Sequence, residues 1–193
     1  MANVAAKRAT YEDVLGSLEN VVAEVIDGVL YSSPRPAAAH AVAASAIGGE
    51  LFGPFKRGRG GPGGWIILDE PELHLDADIV VPDLAGWRKE RMPTVADAAY
   101  FTLAPDWICE VLSPSTEKID RALKLPIYAR AGVEFAWLVN PRNRTLEVLR
   151  RQEQTWVVLA VHKDDDIVHA HPFEVFALEL SILWADVEQT EPK

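Results

Sequence analysis

Two carboxylates stand where an acidic side chain is costly. Asp83 follows the apolar run Asp78-Ile-Val-Val81 through Pro82, and Glu110 lies 27 positions later inside Trp107-Ile-Cys-Glu-Val-Leu112. A charge in the middle of an apolar strand needs compensation. A shared divalent cation is one form of it, because Mg²⁺ takes oxygen ligands from one or two carboxylates and completes its shell with water. The local alternative is that Asp83 caps the turn after Pro82 while Glu110 pairs with a buried Arg or Lys. Taken singly, each residue fits the local alternative.

The segment after Glu110 shifts that balance. Ser113-Pro-Ser-Thr116 ends the strand, and Thr116 can open a helix running to about Ala131, with Gly132 at its end. Thr116, Asp120, Lys124 and Tyr128 recur every fourth residue and share one helical face; Ile119, Leu123 and Ile127 form the opposite, core-facing one. Such a helix can turn Lys124 back toward the carboxylates, where an ammonium could orient a water, lower its pKa or stabilise a phosphorane-like transition state. Asp120 would then hold Lys124 in place. The alternative is a surface Asp120–Lys124 pair worth a few tenths of a kcal/mol. Pro126 removes the bond to the Ala122 carbonyl, so a kink is expected beside Lys124.

The elements that must position these groups are readable in outline. Thr10-Tyr-Glu-Asp13 has the form of a capping box opening a helix through Leu18. Val21–Ile26 and Val29–Tyr31 flank Asp27-Gly28, which predicts a hairpin with a primed turn. Residues 37–52 are rich in alanine and predict a helix with His40 in its first turn, followed by a glycine-rich loop over 53–64. Strands are expected at 65–68, 78–81, 107–112 and 134–139, and as an antiparallel pair at 145–150 and 155–161. The stretch 88–105 reads as a loop, and 177–187 as a final amphipathic helix. Cys109 falls on the strand face opposite Glu110 and is expected in the core, as are Tyr128 and Trp137. The order of elements implies an α/β domain of mixed type, a mixed sheet with helices against it.

Composition sets the limits. The chain has 193 residues, 49% of them apolar, which fits one domain over 1–193. A single cysteine allows no internal disulfide and suits a cytoplasmic protein. No stretch approaches the roughly 20 apolar residues of a membrane span. The net charge of −10 argues against a plain nucleic-acid-binding module, which is usually basic. It argues less against a site that gathers carboxylates around a metal. Lys56, Arg57 and Arg59 in the glycine loop, and Arg88, Lys89 and Arg91 after the Asp83 strand, could hold a phosphate backbone or simply be solvated. Asp164-Asp-Asp166 reads as a solvated turn, and His162, His169 and His171 lack zinc-site spacing.

Several segments together carry a resemblance. Glu24-Val-Ile-Asp-Gly28, His40, Val81-Pro-Asp83, Cys109-Glu-Val-Leu-Ser-Pro-Ser-Thr116, Asp120-x-x-x-Lys124-x-x-x-Tyr128 and Gly132-Val-Glu-x-x-Trp137-Leu-Val-x-Pro141 resemble the Uma2 family, over about Tyr11 to Trp184. That family was formerly a domain of unknown function and lies in the PD-(D/E)XK nuclease superfamily. The resemblance implies a restriction-endonuclease-like core, a central mixed β-sheet flanked by helices with an added β-hairpin. It implies an endonuclease that hydrolyses DNA with Mg²⁺ or Mn²⁺. Asp83 and Glu110 match the acidic motif positions, and Glu24 the early acidic residue that completes the metal shell. The superfamily lysine, two residues after the second acid, would fall on Leu112, which cannot serve; the Uma2 lysine on the next helix corresponds to Lys124. His40 matches a family histidine that could contact phosphate or act as a base. DNA is the implied partner, and cutting both strands of a duplex would suit a homodimer. The alternative class is a catalytically silent nucleic-acid-binding or regulatory module that retains the fold, and a third is a protein-interaction component using its acidic surface.

Overall fold

The structure is a computed structural model that describes residues 7–34, 37–185 and 187. In chain order it contains α1 (Tyr11–Leu15), β1 (Val21–Ile26), β2 (Val29–Pro34) and α2 (Ala38–Leu51), which runs into a π-helical turn at Phe52–Lys56. There follow β3 (Trp65–Asp69), β4 (Leu73–Leu75), β5 (Asp78–Val80), β6 (Leu84–Arg88) and β7 (Trp107–Val111). The next helix has three parts: α3 (Glu117–Ile119), a π turn (Asp120–Lys124) and α4 (Leu125–Ala131). The chain continues through β8 (Phe135–Asn140), β9 (Thr145–Gln152), β10 (Thr155–Lys163), β11 (Ile167–Val168), β12 (Leu178–Glu179) and a 3₁₀ turn at Leu180–Leu183.

Six strands form the central sheet in the order β10-β9-β8-β7-β6-β3. Only β7 and β8 pair in parallel, with Glu110 opposite Leu138, and the α3–α4 helix provides the crossover that parallel pairing requires. A second sheet, β2-β1-β5-β4, carries the hairpin and joins the first where the chain passes from β5 to β6. The hairpin turn has positive φ at both Asp27 (51°) and Gly28 (80°), the primed geometry expected from Asp-Gly.

Alternation along β7 divides the core. Trp107, Cys109 and Val111 join α2, Trp137 and Phe173 on one face of the sheet. Ile108 and Leu112 join Ile127, Tyr128 and Leu138 on the other. Cys109 is therefore a core thiol, as expected. Glycine in the middle of α2 has a packing reason: a Cβ on Gly48 would lie 3.2 Å from an Asp69 carboxylate oxygen and 3.3 Å from Leu84, so the helix sits tightly on the sheet.

Several expectations need correction. Helix α1 ends at Leu15 rather than Leu18. Among the described residues, the amphipathic helix expected over 177–187 is absent. There β12 pairs with β11, and the 3₁₀ turn buries Leu180 and Leu183 against the α2 side of the core. Pairing to a neighbouring strand overrides local periodicity here. Strands β4 and β6 were not expected. β6 reads Leu-Ala-Gly-Trp-Arg without β-branched residues, yet it is the pairing partner of both β3 and β7. The loop 89–106 contains no helix and is tied down by Trp87, whose indole donates to the Leu103 carbonyl at 2.8 Å, and by Asp106, which accepts from the Arg88 amide.

Gly132 closes α4 at φ 92°, with the Val133 amide donating to the Tyr128 carbonyl at 3.0 Å. A Cβ there meets no neighbour, so the cost of a side chain is purely that of the left-handed backbone. Gly132→Ala is expected to cost about 1 kcal/mol and lower Tm by about 2–4 °C; calorimetric melting curves check this.

Candidate active site

Lys124 is the hub of the site. Its Nζ lies 3.0 Å from Glu24 Oε1, 3.0 Å from Glu110 Oε1 and 3.7 Å from Asp120 Oδ1. It also donates to the Val81 carbonyl at 2.9 Å. An ammonium has three protons, and the three short contacts, to Val81, Glu24 and Glu110, use them all. Glu110 is 2% exposed and Lys124 3%, so the cluster is almost dry.

The members come from three elements: Glu24 from β1, Glu110 from β7, and Asp120 and Lys124 from the π turn. Glu24 lies on β1 of the second sheet, and its Oε1 also accepts the Val81 amide at 2.8 Å, which fastens the hairpin to the β5 exit. Asp78 adds a further clasp by accepting from the Asp27 amide at 2.7 Å and from Arg130 of α4 at 3.0 Å. Glu110 projects from β7 toward the α4 side. Tyr128 donates its hydroxyl to Glu110 Oε1 at 2.7 Å. Tyr128 was expected only as a core residue; it is fully buried and also a site residue. The four-residue spacing Thr116, Asp120, Lys124, Tyr128 carried that signal, since the other members of the stripe face the site.

Where a kink was expected beside Pro126, the helix has a π turn, Asp120–Lys124, that ends two residues before the proline. A proline that cannot donate to the Ala122 carbonyl fits a helix whose preceding turn is wider. Asp120 and Lys124 remain on the same buried side.

Asp83 sits between β5 and β6 and lines the same pocket as Glu24, Glu110, Asp120 and Lys124. Its Oδ2 accepts the Val111 amide at 2.6 Å, and its Oδ1 lies 3.1 Å from His40 Nε2. Asp83 and Glu110 therefore open on one side. His40, in the first turn of α2, holds Asp83 in orientation, while its Nδ1 has no hydrogen-bond partner among the described residues. Among the described residues, no three His, Cys, Asp or Glu side chains converge closely enough to enclose a metal ion. In this arrangement Glu24 is bonded to Lys124, and the local alternative for Glu110, pairing with a buried Lys, is realised.

Electrostatics follow from burial. Burial pushes Glu110 well above the usual carboxylate range, and the Lys124 charge only partly offsets this. Burial also raises Asp120, to about 6, against the pull of Lys124 and a Thr116 hydrogen bond. For Lys124, burial alone would favour the neutral amine, but Glu110 and Glu24 outweigh it and hold the group above its ordinary value. His40 is opposed by burial yet raised by its bond to Asp83.

The basic residues flagged in the sequence lie elsewhere. Lys56 and Arg57 stack over Phe52, at 4.8 and 5.0 Å, and Arg88 over Trp65 at 4.7 Å.

A mixed sheet with one parallel pair, a crossover helix and acidic residues at adjacent strand ends defines a restriction-endonuclease-like fold. The profile of the Uma2 family, described as "Putative restriction endonuclease", matches residues 9–182. The chain belongs to the Uma2 family. It is also similar to the crystal structure of a "putative nuclease belonging to DUF820" from Anabaena variabilis ATCC 29413, with a TM-score of 0.69 and 24% identity. That match covers 92% of this chain and 98% of the other. No curated protein matches the chain. Among the described residues, no helix is long and apolar enough to cross a membrane.

Two expectations follow. Lys124→Met leaves buried carboxylates unpaired and should cost about 3–5 kcal/mol at pH 8, less at pH 5, as urea unfolding would show. Asp120 is raised from 3.8 to about 6, so between those values the folded chain keeps a proton the unfolded chain has lost. Stability then falls as pH rises through that window. Asp120→Asn should flatten this decline when unfolding free energy is measured from pH 4 to pH 7.

Proposed function

We propose that this chain is a divalent-metal-dependent nuclease that hydrolyses phosphodiester bonds in DNA. The observation that supports this most directly is the meeting of Asp83, from the bend between β5 and β6, and Glu110, from β7, in one pocket with Lys124. The family description points the same way.

The donor chemistry fits Mg²⁺ or Mn²⁺. Both side chains offer hard oxygen ligands, and Mg²⁺ is commonly held by one or two carboxylates with water and substrate phosphate rather than by a protein cage. Asp83 and Glu110 would hold the ion, which supplies Lewis acidity toward a phosphoryl oxygen and a more acidic bound water. His40 and the Val111 amide keep Asp83 aimed, and Tyr128 does the same for Glu110. Glu24 keeps Lys124 protonated and in place, and through that contact borders the metal shell.

Lys124 has no proton to spare while it binds three acceptors. Were an ion held by Asp83 and Glu110 to offset the charge of Glu110, Lys124 would have one N–H free to orient the attacking water or stabilise charge on phosphorus. The oxygen of that water would bond to phosphorus and give up one proton as one ester P–O bond breaks, and the departing oxygen would take up one proton.

One observation favours a second reading, a catalytically silent module: the Lys124 ammonium sits between Glu24 and Glu110 and already offsets part of their charge. Metal binding separates the two. Calorimetry should show Mg²⁺ or Mn²⁺ binding that is lost in Asp83→Asn, and DNA cleavage should fall on the order of 10²-fold or more in Glu110→Gln. Cleavage that persists in Glu110→Gln or in excess chelator would rule out the metal mechanism.

A further inference from the structure

We infer that the pocket above Glu110 and Lys124 receives a single unpaired nucleotide, so that the substrate is a single-stranded region, flap or frayed end rather than intact duplex. This deepens the nuclease reading and rests on it.

Shape carries the inference. The pocket encloses about 350 Å³, near the lower end of the roughly 300–1,000 Å³ range of small-molecule sites. That is room for one nucleotide unit, whereas the major groove of a duplex is by itself about 12 Å wide. The reacting groups lie at the bottom, with Glu24, Glu110 and Lys124 all 5% exposed or less. A phosphate on the outer surface of a double helix cannot descend that far while its neighbours stay paired.

The walls suit such an occupant. Val22, Ala37, Val81, Pro114 and Ile119 offer apolar surface for the faces of a base and sugar, and Ser33, Ser113 and Ser115 offer hydroxyls for polar edges. One wall is the β2 strand end and the other is the Ser113–Thr116 loop. That loop is braced internally, since Ser113 Oγ lies 2.9 Å from Ser115 Oγ and 3.0 Å from Thr116 Oγ1. Among the described residues the lining contributes one cation, Lys124, already engaged by carboxylates. A neighbouring groove shares Glu70 with the pocket and runs along α2 past His40 and Gly48 to Phe52 and Lys56, a path for the adjoining strand. Extruding a base from a duplex costs a few kcal/mol, and the cost is least where the base is already unpaired. An unpaired nucleotide also makes a second copy on a twofold axis unnecessary.

Fluorescence anisotropy in Ca²⁺ with a short labelled single strand and a dumbbell duplex of the same sequence, its ends closed by ethylene-glycol linkers so that no nucleotide is unpaired, tests the inference. The single strand should bind at least about tenfold more tightly; equal or tighter binding of the dumbbell overturns the inference. Ser115→Trp narrows the mouth and should weaken single-strand binding about tenfold, with Tm unchanged from that of the parent chain. Unweakened binding in a folded variant removes the pocket as the site. In Mn²⁺, cleavage of the single strand with the dumbbell spared supports the inference. Equal cutting of both refutes it while leaving the nuclease reading intact. Selective single-strand binding without cleavage in Mn²⁺ supports the pocket assignment and refutes the nuclease reading.

Discussion

A lysine ammonium held between Glu24 and Glu110, with Asp120 close by, is the interaction on which the rest of the site depends. In water, contacts of this length between single charges are weak, but in a dry interior the same geometry is strong and any missing partner is expensive. The cluster ties together β1 of one sheet, β7 of the other and the helix that crosses between β7 and β8. No pair of these elements is consecutive in the chain except β7 and that helix. The ion cluster is therefore a clamp on the tertiary arrangement as well as a chemical centre. Supporting hydrogen bonds repeat the pattern: Val81 gives its amide to Glu24 and its carbonyl to Lys124, so one residue at the β5 exit serves both charges.

Carboxylates crowded together repel one another. Here the Lys124 ammonium offsets part of that repulsion, and the hydroxyl of Tyr128 supplies a further donor to Glu110. The catalytic reading then requires an exchange of partners, with Lys124 released from Glu110 as a metal ion takes its charge. Asp83 stands outside the dry cluster, its side chain 17% exposed, and is held from behind by His40 and the Val111 amide. Its position at the open end of the pocket suits a first point of contact for a hydrated ion.

The division of β7 shows how the scaffold keeps chemistry apart from packing. Alternate residues send Trp107, Cys109 and Val111 into the aromatic core beneath α2, and Ile108 and Glu110 toward α4. Trp107 meets Trp137 edge to face at 5.2 Å and Phe173 at 5.0 Å, which anchors the strand from which Glu110 projects. A solved structure at 24% identity keeps this fold over nearly its whole length, as expected when layer packing rather than particular side chains defines the architecture.

Local periodicity and turn chemistry were legible in the residues alone. The Asp27-Gly28 turn, the burial of Cys109 opposite Glu110, the shared face of Asp120 and Lys124, and the helix end at Gly132 all follow from backbone rules that act within a few residues. Asp83, Glu110 and Lys124 could be singled out because a charge in an apolar strand, or a stripe repeating every fourth residue, is a local anomaly. Tertiary structure alone decided that Glu24 arrives from a separate sheet, that Tyr128 reaches Glu110, that Lys124 bonds Glu24 and Glu110 directly, and that the pocket is deep. It also replaced the expected C-terminal helix with β12 and a 3₁₀ turn. The physical reason is the same in each case: these outcomes depend on pairings across tens of residues, where the energy of a buried contact outweighs local preference and leaves no periodic trace in the chain.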